Sequence, residues 1–390
     1  MKEILSAKFE EVFGDREGIR FYFAPGRVNM IGEHTDYNGG HVFPCALTIG
    51  TYAAARKRKD GRLGFYSMNF GQTGLIRSSL EELYPGGAKE DWSSYPKGVL
   101  WAFGQKGMKL PCGLELLLYG NIPSASGLSS SASVEVLTAF LVRDLFGFEA
   151  TDQDLAKLAQ FAENRYNGVH CGIMDQFAIA MGKKDHAIFL DTASLSYQYA
   201  PLKLDGAKIV IACSNKKRGL GDSKYNERRR ECEAALAQLR TAVDVRNLGE
   251  LSEEELERYQ EVISEETLRK RAKHAVSENR RTIRAAAALE RGDIRRFGEL
   301  MAASHRSLRD DYEVTGKELD TLAEEAWKVE GVIGSRMTGA GFGGCTVSIV
   351  EDGAVERFLE RVGGAYQAKI GYAADFYVAE VGGGPCVLWE

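Results

Sequence analysis

The apolar positions of this 390-residue chain change period several times, and each change marks an element. Between residues 20 and 70 the runs RFYFA, RVNMI, TYAAARKR and LGFYSMN are short and β-favouring, broken by Pro25, Gly32, the Asn38-Gly39-Gly40 turn and Asp60-Gly61. They predict a strand-rich layer. Helical spacing follows over 93–106, then an apolar strand over 114–119, a Gly/Ser loop over 121–131 and an apolar helix from there to about 146. Thr151, with Asp154 three positions on, starts the helix DLAKLAQFAENRY, which should stop near Gly168. Strands at 187–190 and 208–213 come next. Residues 222–328 read as almost wholly helical, with a capping box at Ser252 and Glu255. The tail then returns to strand, helix and strand as TVSIV, AVERFLERVGGAYQ and DFYVAE. The expected fold class is α+β in two domains, 1–200 and a helix-rich 201–390, with the last stretch at about 375–390 packing back on the first.

Charge and cysteine usage narrow the partners. Fifty Lys and Arg against 55 Asp and Glu leave a net charge of -5, with the bases spread along the chain, which argues against nucleic acid. The richest basic stretch, 269–281, interleaves Glu and Ala at helical spacing and is expected to be the wet face of a helix. No segment approaches about 18 uncharged apolar residues, so no membrane span is expected. The start, MKEILSAKFEEVFG, reads as an amphipathic helix of mixed charge, not a secretory signal. Seven cysteines without a CxxC suit reduced thiols and a cytoplasmic location. Glycines number 43 against 8 prolines and cluster in short patches, pointing to loops that approach ligands closely.

Four segments carry candidate chemistry. PSASGLSSSA at 123–132 lies between a strand and an apolar helix, so free backbone N–H groups and the helix dipole converge on an anion site. Its serine hydroxyls are donors for phosphate or ligands for Mg²⁺, although a Ser-rich N-cap is the plainer reading. A Walker loop is excluded, because Gly182-Lys183 and Gly316-Lys317 lack the following Ser or Thr and the upstream glycine. GAGFGG at 339–344 fits G-x-G-x-x-G but precedes a strand, so it suits a loop bent over another ligand better than a dinucleotide site. GRVNMIGEHTDYNGG at 26–40 crowds a base, two acids, a histidine and amides into one turn. With no second His, a metal held by Glu33, His34 and Asp36 is disfavoured. A hydroxyl-rich ligand, each of whose OH groups needs both a donor and an acceptor, suits the mixture. In CGIMDQF at 171–177, Asp175 stands in an apolar setting with Glu163 on the preceding helix. A buried acid there needs a partner, for which Arg27 is the candidate; a helix-capping role for Asp175 is the alternative.

GRVNMIGEHTDYNGG, PSASGLSSSAS and RMTGAGFGGC together resemble the three motifs of the GHMP small-molecule kinases, and the first resembles the galactokinase signature. CGIMDQF, DSKYNERRRECE and HRSLRDDYEV resemble that family too, over about residues 20 to 350. The resemblance implies the two-domain GHMP kinase fold, with the active site in the cleft between domains. It implies phosphorylation of the anomeric hydroxyl of galactose by Mg·ATP, the first committed step of galactose catabolism, by a monomer. Ala125, Ser126, Gly127, Leu128, Ser129, Ser130 and Ser131 would cradle the phosphates, with Ser67 by the nucleotide. Ser131 and Glu163 would hold Mg²⁺. Asp175 would be the base or orient the sugar O1, and Arg27 would stabilise it and the transferred phosphoryl group. Glu33, His34, Thr35, Asp36, Gly172 and Tyr225 would contact the sugar, and 339–344 would shape the cleft. Met30 stands where the family commonly has Leu, and the SNKKRGLGDSKY loop departs from the commoner versions before Tyr225. Two other readings stay open here. A kinase for N-acetylgalactosamine or arabinose would use the same motifs, and a galactose and ATP sensor would bind without turnover, although the GLSSSAS run is intact.

Overall fold

The computed structural model describes residues 1–85, 91–123, 127–202, 204–216 and 221–389. Ala125 and Ser126 lie outside the described residues. The runs RFYFA and RVNMI form one strand, Arg20–Asn29, in spite of Pro25. The register against Pro44–Lys57 shifts between Pro25 and Arg27, so the missing proline N–H falls at a bulge. That bulge re-aims the chain at Arg27.

The larger sheet runs Cys386–Val387, Arg20–Asn29, Pro44–Lys57, Leu114–Gly120, Arg62–Ser67, Ile76–Ser79. Strand alternation divides its side chains between two faces. Phe21, Ala54 and Leu117 meet Leu5 and Phe9 of the helix Lys2–Phe13. Tyr22, Ala53 and Leu116 meet the apolar sides of Ser94–Gln105, Ser130–Phe146 and Asp152–Ala162. Arg62–Ser67 is parallel to Leu114–Gly120, with Ser67 opposite Leu118. Both strands therefore end at the same edge, where the chain turns toward the helix Ser130–Phe146 and its dipole.

A second sheet is antiparallel throughout, in the order Val332–Thr338, Cys345–Glu351, Ala207–Cys213, Asp375–Ala379. Of the tail expected on the first domain, Asp375–Ala379 pairs here and Cys386–Val387 crosses back to pair with Tyr22 and Phe23. His41–Val42, His186–Asp191 and Tyr197–Pro201 make a third, small sheet. One apolar cluster takes Val28 and Phe43 from the first half and Ile209, Phe297 and Val347 from the second. That shared core seats the 26–40 segment on the second half. No helix among the described residues is long and apolar enough to cross a membrane.

Two expectations need correction. On the helix Glu266–Glu290, Arg271, His274, Glu278 and Thr282 are buried, so the 269–281 stretch is only partly a wet face. Their spacing of three and four is one helical stripe; Arg271, His274 and Glu278 find partners from distant segments, and Thr282 donates to the Glu278 carbonyl one turn back. Arg271 pairs with Glu231 at 2.8 Å and Glu313 at 2.6 Å, while Glu278 accepts the Gly32 N–H at 3.0 Å and pairs with Arg281 at 2.7 Å. Polarity alone reads such a stripe as solvated; pairing is what lets it be buried. Cys213 and Cys345 are direct partners on adjacent antiparallel strands and are joined as a disulfide, leaving Cys45, Cys112, Cys171, Cys232 and Cys386 as free thiols.

Candidate active site

The 26–40 segment, the start of the helix Ser130–Phe146, the turn before Met174–Ala180, the helix Gly221–Leu239 and the GAGFGG loop enclose a cavity of about 350 Å³. Arg27 enters it just past the bulge and Asp175 from the first turn of Met174–Ala180. Nε and Nη2 of Arg27 donate to the two Asp175 oxygens, each at 2.7 Å, in a fork-to-fork pair. Nη1 donates to the Gly127 carbonyl at 2.6 Å, and the Ser129 hydroxyl donates to Asp175 Oδ2. The pair thus also fastens the Gly/Ser loop. Arg27 is 4% exposed and the Asp175 side chain 32%, so the acid opens to the cavity from an enclosed cation. Ser129 holds φ 60, a left-handed conformation uncommon outside glycine, at the turn into the helix.

Ser131 and Glu163 line the cavity as well. The helix expected to stop at Gly168 is regular only over Asp152–Ala162 and widens into a π turn at Glu163–Asn167 before Gly168, φ 75, ends it. Glu163 stands at the junction of the two, where it lines the cavity. Behind it the fully buried Glu135, one helical turn beyond Ser131, accepts from Gln176 at 3.2 Å and Asn167 at 3.5 Å. Burial, then the neighbouring Glu163, push the Glu135 carboxyl well above the usual carboxylate range. The donor set at this end is a hydroxyl and a carboxylate, hard oxygen ligands of the kind Mg²⁺ takes when phosphates complete its sphere. Among the described residues no three His, Cys, Asp or Glu side chains group as an all-protein metal site.

At the other end Asp36 opens the short helix Asp36–Asn38 and accepts the Tyr37 N–H at 3.1 Å. A Cβ at Gly172 would lie 1.8 Å from Asp36 Oδ2, so only glycine lets the two segments approach this closely. Burial, then the Asp175 charge, push the Asp36 carboxyl up to about 6. Tyr225 lines the same wall, its ring 5.7 Å from His34 and 5.5 Å from Tyr37. Burial pulls the His34 imidazole down to about 3, which keeps it neutral.

Other residues singled out from sequence are bonded within the protein or lie off the cavity. Glu33 touches the cavity, but its oxygens accept the Gly339 N–H at 2.7 Å, pair with Arg336 at 2.8 Å and bond Asn29, so it is a strut to the GAGFGG loop. Burial raises its carboxyl and Arg336 opposes the rise. Thr35 is fully buried, its hydroxyl shared between the Gly32 and His41 carbonyls at 2.8 and 2.7 Å, and it does not line the cavity. Ser67 lies outside it too, opposite Leu118 near the end of the strand that leads to the Gly/Ser loop, while Ser130 is exposed and the buried Leu128 gives its carbonyl to the Arg27 N–H at 3.2 Å. Residues not singled out complete the site. Asn226 lines it, Arg336 braces Glu33, and Glu135 sits behind Glu163. A lone charge inside an apolar run, as in SVEVLTAFLV or IGSRMTG, is the signal that marks Glu135 and Arg336.

Residues 7–57 match the galactokinase galactose-binding signature, 94–183 the GHMP kinase N-terminal domain and 285–368 the GHMP kinase C-terminal model. A galactokinase of Clostridium beijerinckii is 55% identical over 382 residues, 98% of this chain and 97% of that one. The crystal structure of Lactococcus lactis galactokinase complexed with galactose superposes with a TM-score of 0.96 at 49% identity, covering 99% of this chain and 100% of that one. Methanococcus jannaschii mevalonate kinase, at 17% identity and a TM-score of 0.66 over 94% of this chain and 99% of its own, shares the fold alone. With more than half its residues identical to a relative over nearly the full length of both, the chain belongs to the galactokinase family of GHMP kinases.

Proposed function

We propose that this chain transfers the terminal phosphoryl group of Mg·ATP to the anomeric hydroxyl of galactose. The observation that carries the reading is the Arg27–Asp175 pair, open to a cavity with Asp36 at one end and Ser131 and Glu163 at the other. Asp36 and Tyr225 seat the sugar, Gly172 makes room for Asp36, and Asp175 keeps lone pairs for the anomeric hydroxyl. The O1–H proton passes to Asp175 as the O1–P bond forms and the bond from phosphorus to the ADP oxygen breaks. Arg27, fixed by Asp175 and Gly127, stabilises the charge on the moving phosphoryl group. The loop at 127–131 and the helix it opens hold the phosphates by backbone N–H groups and dipole. Ser131 and Glu163 hold the Mg²⁺, which when bound neutralises phosphate charge.

A coupled ATP-to-ADP assay with galactose, N-acetylgalactosamine, arabinose, glucose and mevalonate tests this reading. Galactose should give the highest kcat/KM. A faster rate with another acceptor, or binding of galactose without turnover, overturns it.

Glu163→Gln should raise the Mg²⁺ concentration for half-maximal rate by roughly 10- to 100-fold, the scale on which a metal site responds to loss of a supporting group. Galactose affinity without nucleotide should not change. A Mg²⁺ titration with the same midpoint in variant and wild type would remove Glu163 from the site.

The raised Asp36 carboxyl predicts a pH dependence. Sugar hydroxyls donate to the ionised form, so binding favours that form and draws the carboxyl down. In the empty protein Asp36 is protonated below about 6. Galactose affinity should therefore rise as pH rises through that value and level off above it, with proton release on binding near pH 6. Calorimetry in buffers of different ionisation heat reads this directly; proton uptake in place of release contradicts it.

A further inference from the structure

Beneath the sugar end of the cavity runs a line of four hydrogen bonds that takes no part in the chemistry above. Cys232 Sγ lies 3.0 Å from Tyr312 Oη, which lies 2.9 Å from Tyr37 Oη. Tyr37 Oη lies 2.7 Å from His34 Nδ1, and His34 Nε2 lies 3.2 Å from the Ala340 carbonyl. The last acceptor sets the direction of all the others. A carbonyl only accepts, so Nε2 carries the imidazole proton. Nδ1 of the neutral ring then accepts, which commits the single Tyr37 hydroxyl hydrogen to it. Tyr37 must accept from Tyr312, and Tyr312 from the Cys232 thiol.

The line ties together segments far apart in sequence. Cys232 belongs to Gly221–Leu239, Tyr312 follows the helix Ile294–Asp310, His34 and Tyr37 belong to the first motif, and Ala340 to the GAGFGG loop. Tyr312 is fully buried, its ring 4.8 Å from His34 and 4.4 Å from His274, so neither hydroxyl nor ring is free to swing. His34 itself holds φ 62, a conformation that a non-glycine residue keeps only when its surroundings over-determine it. Beyond Ala340, the loop presses on the phosphate loop, since a Cβ on Gly339 would stand 3.1 Å from the Gly127 carbonyl that Arg27 also holds.

We propose that Tyr37, Tyr312 and Cys232 are positioning residues whose hydrogen-bond chain, given its one direction by the Ala340 carbonyl, holds the bare Nδ1 of His34 in its Nε2–H tautomer. His34 thereby pins Ala340, and with it the GAGFGG loop, at the wall between the sugar and phosphate subsites. The proposal rests on the galactose reading for its kinetic consequence but not for its tautomer.

Nitrogen-15 NMR of histidine-labelled protein separates the two tautomers, and a His34→Asn sample assigns the His34 signals among the six histidines. Wild type should show Nε2 protonated and Nδ1 bare. Tyr37→Phe, which deletes one hydroxyl and keeps the ring, should leave Nε2 protonated because Ala340 still accepts, shift the bare Nδ1 signal as it loses its donor, and raise the galactose KM roughly tenfold, the scale of leaving one buried polar group unpaired. Cys232→Ser keeps a donor and should match wild type in both readings. A wild-type ring protonated at Nδ1, or a Tyr37→Phe protein with unaltered Nδ1 signal and galactose KM, overturns the proposal. The wild-type spectrum decides even if Tyr37→Phe does not fold, and it reads the same whichever sugar the acceptor assay selects.

Discussion

Asp36→Ala is expected to collapse galactose use and to pull the ratio of galactose to glucose kcat/KM toward one. The carboxylate is pressed against Gly172 and its charge is disfavoured by burial and by Asp175, so it gains from every hydroxyl group that donates to it. Galactose and glucose differ in one hydroxyl, axial in the first and equatorial in the second. In a common pose the equatorial group points away and leaves a desolvated acceptor, and sites built on such bonds discriminate by roughly 10⁴-fold or more. Alanine removes the attraction and the penalty together. ATP affinity should change little, because among the described residues Asp36 is tied to the Tyr37 N–H of its own segment and not to Ser131, Glu163 or the 127–131 loop. The measurement is kcat/KM for both sugars in both proteins. An Asp36→Ala enzyme that is slow but keeps its full preference for galactose assigns specificity elsewhere, with Tyr225 next.

Asp175→Asn should lower turnover on the order of a hundredfold or more, the usual worth of a positioned base, with galactose affinity nearly unaltered. The amide keeps the shape and one acceptor oxygen. Its NH₂ group, however, faces the donors of Arg27 and Ser129 where a carboxylate oxygen accepted both. Arg27→Ala should act in the same direction and also release the Gly127 carbonyl. Galactose binding measured without nucleotide separates the two effects. Near-native turnover of Asp175→Asn at unchanged galactose affinity would falsify the assignment of the base.

Helix starts were legible because caps are local. Thr151 with Asp154 and Ser252 with Glu255 close capping boxes whose two halves sit three residues apart. The strand and apolar helix on either side of the Gly/Ser loop were legible for the same reason, since they succeed one another within about thirty residues. The bulge at Pro25 was not, for it exists only against the register of Pro44–Lys57. Nor was the buried stripe of Arg271, His274 and Glu278, whose partners come from residues 231, 307, 313 and 32.

By itself, the sequence determined the three motifs, the residue types at the two ends of the cavity and most of the elements that carry them, all from interactions spanning a few residues. Only the tertiary structure decided which of those polar groups face the cavity and which are struts. Asp36 and Asp175 open to it while Glu33 is bonded to Arg336 and Gly339, and Thr35 turns its hydroxyl to two backbone carbonyls. The reason is that burying a charge or hydroxyl depends on a partner, and Glu33 finds its own about 300 residues away, a distance that no local period encodes.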